Sequence, residues 1–287
     1  MKNIKPYLIL CRLPISLVAT LSALTGYLLT GSISAIPISY LAAGVFLLAC
    51  GASAMNQFQE RDIDALMERT RLRPLPAGAM TSTHGLVVSM TLILSGLLFL
   101  GALGWTLVIF GSFAVLWYNG LYTPLKRVTA FAAVPGALVG AIPPVMGWAA
   151  GGGNLADPRI FALAMLFFLW QIPHFWLLLL GNTAQYEKAG LPTLASIIPP
   201  EHLARITLLW IAATAVASLA MPLFGIVHSP YAYALLLVLA VWVSGSGLGI
   251  VKENTTAAAL LPAFKKINIF ILLFMFLAVF DRLLLRG

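Results

Sequence analysis

Long apolar runs, broken by charge in only a few places, constrain this chain more than any other feature. Nine stretches stand out, at about 13–30, 36–56, 84–104, 105–122, 130–149, 160–180, 202–224, 231–251 and 267–285. A helix crossing a bilayer needs roughly 20 mostly apolar residues. The runs are continuous instead of alternating in short segments, which argues against barrel strands. Soluble domains carry about 25% charged residues; here the figure is 9%, with 61% hydrophobic residues. Such a chain cannot cover itself with polar surface, so lipid must be its solvent. The expected fold is all-α: a polytopic membrane protein, a nine-transmembrane-helix bundle occupying 1–287 as a single domain.

Charge sets the expected orientation. With the N terminus in the cytoplasm, fourteen of the seventeen Lys and Arg residues fall on that side, against Arg159, Arg282 and Arg286 on the other. This is a positive-inside bias, and it accounts for the net charge of +8 without any nucleic-acid partner. An odd number of spans places the C terminus outside. The basic start resembles a signal peptide, but the apolar run continues through Tyr27 and Leu29, so a retained first span is expected. Cys11 and Cys50 lie far apart with no metal-ligand spacing and read as ordinary membrane-helix residues. Connections on the outer side are short. The longer cytoplasmic ones, at 57–83, 181–201 and 252–266, place the chemistry on the cytoplasmic side.

The first of these carries NQFQERDIDALMERTRLRPLPAG at 56–78, which holds four of the nine acidic residues and four of the basic ones. Asn56, Glu60 and Asp64 are spaced i, i+4, i+8 and share one face of a helix. Such an oxygen-rich patch suits a hard cation such as Mg²⁺, which commonly bridges a carboxylate to a substrate phosphate. Arg69, Arg71 and Arg73 follow, and arginine offers forked donors to phosphate oxygens. The plain alternative is a solvated loop in which Glu60 pairs with Arg61 or Arg69. Ionisable groups running straight on from an apolar span favour a site.

A metal patch beside arginines in a membrane bundle suggests a lipid diphosphate. Ionising an allylic diphosphate would need cations for the departing pyrophosphate and a dry chamber for the carbocation. Phe58, Trp117, Tyr118, Tyr122, Phe168, Trp170, Phe175 and Trp176 could line such a chamber, although each alone is more often packing. The segment PGALVGAIPPVMGW at 135–148 fits either tight packing or a cavity wall.

The pattern N-x-x-x-E-x-x-x-D followed by MERTRLRPLPAG resembles the first acidic motif of the UbiA-type intramembrane prenyltransferases. Further stretches narrow the resemblance to the heme-farnesylating branch of that family: 122–148, WQIPHFW at 170–176, YEKAGLPTL at 186–194 and the run 263–281. The resemblance covers most of the chain. It implies a nine-helix bundle with a cavity near the cytoplasmic side, open toward lipid, in the inner membrane. It implies farnesyl diphosphate and heme b as substrates, Mg²⁺ as cofactor, and heme A synthase or oxidase assembly proteins as candidate partners.

By matching positions, Asn56, Glu60 and Asp64 would hold metal and diphosphate, with Arg69 and Arg73 nearby. Lys126 and Arg127, after Tyr122, would contact diphosphate or heme propionates. Gln171 and Tyr186 join the substrate-binding set. His174 would hold the porphyrin, ligate its iron or relay a proton, and the sequence leaves all three open. The family's second acidic pair is absent: Ala184 and Gln185 stand there, and Glu187 is the nearest carboxylate and a third metal candidate. Competing readings are prenylation of a quinone precursor or a chlorin, a catalytically altered heme-binding homologue, and a transporter. Ionisable residues gathered at one face, away from the bilayer midplane, oppose the transporter.

Overall fold

The computed structural model describes residues 4–253 and 257–284, and its described residues form helices and turns with no strands. Among these residues nine apolar helices run in sequence: α1 Leu13–Leu29, α2 Ala35–Gln59, α3 Ser82–Gly101, α4 Trp105–Leu125, α5 Ala130–Ala150, α6 Pro158–Leu180, α7 Pro200–Leu219, α8 Pro230–Glu253 and α9 Ala257–Leu284. Eight are 20 residues or longer, and α1 has 17, the short end of what spans the hydrocarbon. A short helix, Lys5–Leu10, precedes α1.

The last helix departs from expectation. The connection expected at 252–266 is largely helical, because α9 starts at Ala257, ten residues early, and carries Pro262, Lys265 and Lys266 within it. A helix that extends beyond its apolar run can carry lysines, which an apolar-run criterion reads as loop.

Neighbouring helices pack in antiparallel pairs, and α9 packs against α1 to close the bundle. Two apolar cores result. One joins α1, α2, α3 and α5 through Tyr27, Leu41, Leu100 and Met146. The other joins α6 to α9 through Leu163, Phe167, Phe270 and Phe274. The central contact is that of α1 with α5. A Cβ on Gly26 would lie 2.0 Å from the Pro144 carbonyl oxygen, and one on Gly147 would lie 1.7 Å from that of Ala23. Glycine alone permits this approach of two backbones, the device by which helices associate in lipid.

Two irregularities shape the interior. Pro143 and Pro144 sit within α5. Residues Leu116–Tyr122 of α4 form a π-helical stretch, which widens the turn and places both Asn119 and Tyr122 in buried positions. Such insertions concentrate at functional sites.

Candidate active site

The acidic ladder survives a break in the helix that carries it. α2 ends at Gln59, and Glu60 takes φ −102° and ψ 10°. The Glu60 N–H still donates to the Asn56 carbonyl at 2.9 Å, and the Asp64 N–H to that of Glu60 at 2.7 Å. Helical register therefore continues into the short helix Arg61–Leu66. Asn56, Glu60 and Asp64 consequently remain on one buried face, with exposures of 0%, 7% and 1%. Asp62 points out to the rim, where Arg127 holds both its oxygens at 3.0 and 2.9 Å.

Each buried carboxylate has its own cation. One Arg73 nitrogen donates to both oxygens of Asp64, at 2.8 and 2.6 Å. Lys126 pairs with Glu60 and also lies 5.1 Å from the Tyr122 ring centroid. Burial pushes the Glu60 carboxyl up, yet Lys126, with Arg12 and Asn56, outweighs it and leaves the pKa below the ordinary value. At the rim, the hydrogen bond from Arg127 likewise lowers Asp62 against a small burial penalty. The pairing of Glu60 with Arg61 or Arg69 is not realised. Arg61 donates to the Phe58 carbonyl at 2.7 Å and covers its ring, and Arg69 turns to a different loop.

Arg12 was not among the residues singled out from sequence. It sits between helices Lys5–Leu10 and α1 at φ 44°, the one non-glycine residue with positive φ among those described. Its Nη1 makes a long contact, 3.5 Å, with the Tyr118 hydroxyl. A backbone held in this region by a bulky residue is strained and needs support from its surroundings. Here the reward is a guanidinium whose charge reaches both Glu60 and Asp64. Three cations (Arg12, Arg73 and Lys126) thus face two buried carboxylates.

The donor set suits a hard cation. The Asn56 amide donates to the Thr123 hydroxyl at 3.0 Å, which leaves its Oδ1 buried and without a hydrogen-bond partner. An orphaned carbonyl oxygen beside two carboxylates is a site in want of a cation or donor. No group of three or more His, Cys, Asp or Glu converges among the described residues. A cation held by Glu60 and Asp64 would leave room in its shell for phosphate oxygens.

The two long loops meet here. The Arg69 N–H donates to Gln185 Oε1 at 3.0 Å, and Arg69 Nη2 to the Tyr186 hydroxyl at 3.3 Å. Ile63 and Met67 pack against Leu191 beneath them. Gln185 thus ties the arginine loop in place. Glu187 is exposed and accepts from the Thr193 hydroxyl at 2.7 Å, within its own loop.

An aromatic wall runs from the charged mouth to His174. Tyr122 stacks on Tyr118 at 5.7 Å and on Phe175 at 5.2 Å. His174 lies 5.0 Å from Trp170, 5.6 Å from Phe175 and 5.3 Å from Phe264 of α9. Its Nδ1 is 2.7 Å from Asn268 Oδ1. Gln171 lies against α5, its Oε1 2.5 Å from where a Cβ on Gly140 would stand. Sequence reasoning missed Arg12, Phe264 and Asn268. Arg12 is absorbed by the positive-inside pattern, whereas Asn268, a carboxamide within an apolar run, carried a readable signal.

A bundle with a cation-ringed, oxygen-rich mouth over an aromatic interior defines an intramembrane site for lipids with anionic heads. The chain belongs to the UbiA prenyltransferase family, whose model matches residues 17–274. It is 39% identical to the protoheme IX farnesyltransferase of Oleidesulfovibrio alaskensis, over 97% of this chain and 96% of that one. It is 41% identical to the enzyme of the same name from Geobacter sulfurreducens, over 76% and 81%. Among solved structures, a digeranylgeranylglyceryl phosphate synthase shares the fold with a TM-score of 0.77 at 16% identity, covering 98% of this chain and 99% of that one. A UbiA homolog from Archaeoglobus fulgidus bound to GPP and Mg²⁺ gives 0.68 at 16% identity, covering 96% and 99%.

Proposed function

We propose that this multi-pass membrane protein transfers the farnesyl group of farnesyl diphosphate to a vinyl group of heme b, giving heme O. The observation carrying the reading is the buried pair Glu60 and Asp64, each held by a cation, joined by one aromatic wall to His174. Near-full-length similarity to protoheme IX farnesyltransferases supports the same substrates. Mg²⁺ is the cofactor of this reading: Glu60 and Asp64, with the buried, unpartnered Asn56 Oδ1, would hold it, and when bound it would neutralise charge on the diphosphate.

The remaining chemistry falls to the chain's own groups. Arg73, Lys126 and Arg12 supply positive charge at the mouth, with Arg69 set by Gln185 and Tyr186 at its edge. Their fixed position favours the transition state in which the allylic carbon–oxygen bond breaks and its electron pair leaves with pyrophosphate. Tyr118, Tyr122 and Phe175 stack on one another and make this wall aromatic, which would favour cationic carbon beside it. The terminal vinyl carbon bonds to the farnesyl carbon, and water adds at the inner carbon with loss of a proton, leaving a hydroxyethylfarnesyl substituent.

The positive-inside bias supports an N terminus and a site on the cytoplasmic side of the inner membrane, with the C terminus outside. The test is expression in membranes supplied with heme b and farnesyl diphosphate, followed by chromatography of the extracted hemes. A Mg²⁺-dependent heme O peak is expected. Prenylation of 4-hydroxybenzoate with heme b left unchanged would overturn the assignment.

A further inference from the structure

His174 and Asn268 come from different helices, α6 and α9, and lie 94 residues apart. Their contact fixes more than a distance. Asn268 Nδ2 is 2.6 Å from the Phe264 carbonyl oxygen, which can only accept, so the amide nitrogen must face it. That orientation presents Asn268 Oδ1, also purely an acceptor, to His174 Nδ1 at 2.7 Å. Nδ1 therefore carries the proton, and the neutral ring holds its lone pair at Nε2. Nε2 has no hydrogen-bond partner among the described residues, and the rings of Trp170, Phe175 and Phe264 surround the imidazole.

We propose that Asn268 is a positioning residue that locks His174 into the Nε2-lone-pair tautomer, making Nε2 an axial ligand to the iron of the heme substrate. The inference rests on the heme reading above. Of the roles open to His174, donating a hydrogen bond from neutral Nε2 to a propionate is removed by this tautomer. Ligation fits it: a metal-binding imidazole regularly donates its other N–H to an oxygen acceptor, which fixes the ring and raises its basicity. Anchoring the iron at His174, at the far end of the wall from Glu60, would hold the porphyrin plane over the aromatic interior.

The test uses full-length protein in detergent, loaded with heme b and reduced, with the iron–histidine stretch read by resonance Raman spectroscopy. Wild type is expected to show the band. His174→Ala should lose it and regain a band when imidazole is added. Asn268→Asp, nearly isosteric, should raise the frequency because a carboxylate is the stronger acceptor. Asn268→Leu should lower it and weaken heme affinity roughly 10- to 100-fold, the usual effect of removing such a partner. A band that persists in His174→Ala without imidazole would overturn the ligation. A frequency unmoved in both Asn268 variants would overturn the positioning role. If ligation fails while heme O is still formed, the proposed function stands without it. A wild-type protein that binds no heme overturns both.

Discussion

Arg73 reaches back nine positions along the chain to grip both carboxylate oxygens of Asp64, with Asp64 1% exposed and Arg73 15%. The loop between them is closed further by the Thr70 hydroxyl, which donates to the Asp64 carbonyl at 2.9 Å. The acidic and basic halves of the motif thus form one folded unit. Removing one partner of a buried pair leaves the other charge uncompensated, at a cost of about 3–5 kcal/mol. Arg73→Ala is expected to lower the unfolding midpoint strongly, and adding Asp64→Asn should recover part of the loss. A double variant no more stable than Arg73→Ala would show that the pair is not the cause.

Asp64→Asn alone addresses chemistry. It keeps an acceptor for Arg73 but removes the charge proposed to bind the metal, and heme O formation should fall by at least 100-fold, the order seen when one preorganised charge-stabilising group is lost. Product chromatography across a Mg²⁺ titration measures this; full activity would remove Asp64 from the metal set.

Glu60 gives a pH prediction. Its pKa is depressed in the folded protein, because Lys126, Arg12 and Asn56 outweigh burial. A depressed carboxylate contributes stability above its unfolded pKa of about 4.3, and loses it as pH falls through the lower folded value. In Lys126→Met the leading opponent of burial is gone, with only Arg12 and Asn56 left against it, and Glu60 should rise above its ordinary value. The sign then reverses: the variant should lose stability as pH rises through that raised value, while wild type does not. Unfolding midpoints taken from acid to neutral pH separate the two outcomes.

The second loop distinguishes Glu187 from Gln185. Glu187 is committed to Thr193, so Glu187→Gln should leave the Mg²⁺ dependence of product formation unchanged. Gln185 holds the Arg69 backbone, so Gln185→Ala should raise the KM for farnesyl diphosphate. A tenfold higher Mg²⁺ requirement in Glu187→Gln would restore Glu187 as a ligand.

The α1–α5 contact admits no added carbon. Gly147→Ala places a methyl where the Ala23 carbonyl oxygen stands, and overpacking of this kind costs about 1–3 kcal/mol. A depressed melting temperature in detergent is expected, and an unchanged one would mean that the two helices separate freely.

Much of this was legible from residue order. Apolar run length located the spans, and the i, i+4, i+8 spacing placed Asn56, Glu60 and Asp64 on one face even though the helix breaks at Glu60. What escaped were relationships over distance. That Lys126 and not Arg61 serves Glu60 depends on α4 meeting α2 beside the π-helical stretch, which no local pattern encodes. Asn268 acquires meaning only when α9 is laid against α6. The early start of α9 was hidden because lysines beyond the apolar run look like loop.

Closure of the bundle by α9 also orders events in time. The chain is synthesised from its N terminus, so Glu60, Asp64, Lys126 and His174 all enter the bilayer before Phe264 and Asn268 exist. An incomplete chain can present its cation-ringed mouth, but the imidazole has no acceptor and one wall of its aromatic surround is missing. On the proposed reading, competence to hold a porphyrin arrives only with the final helix, after every charged group of the mouth is already in place.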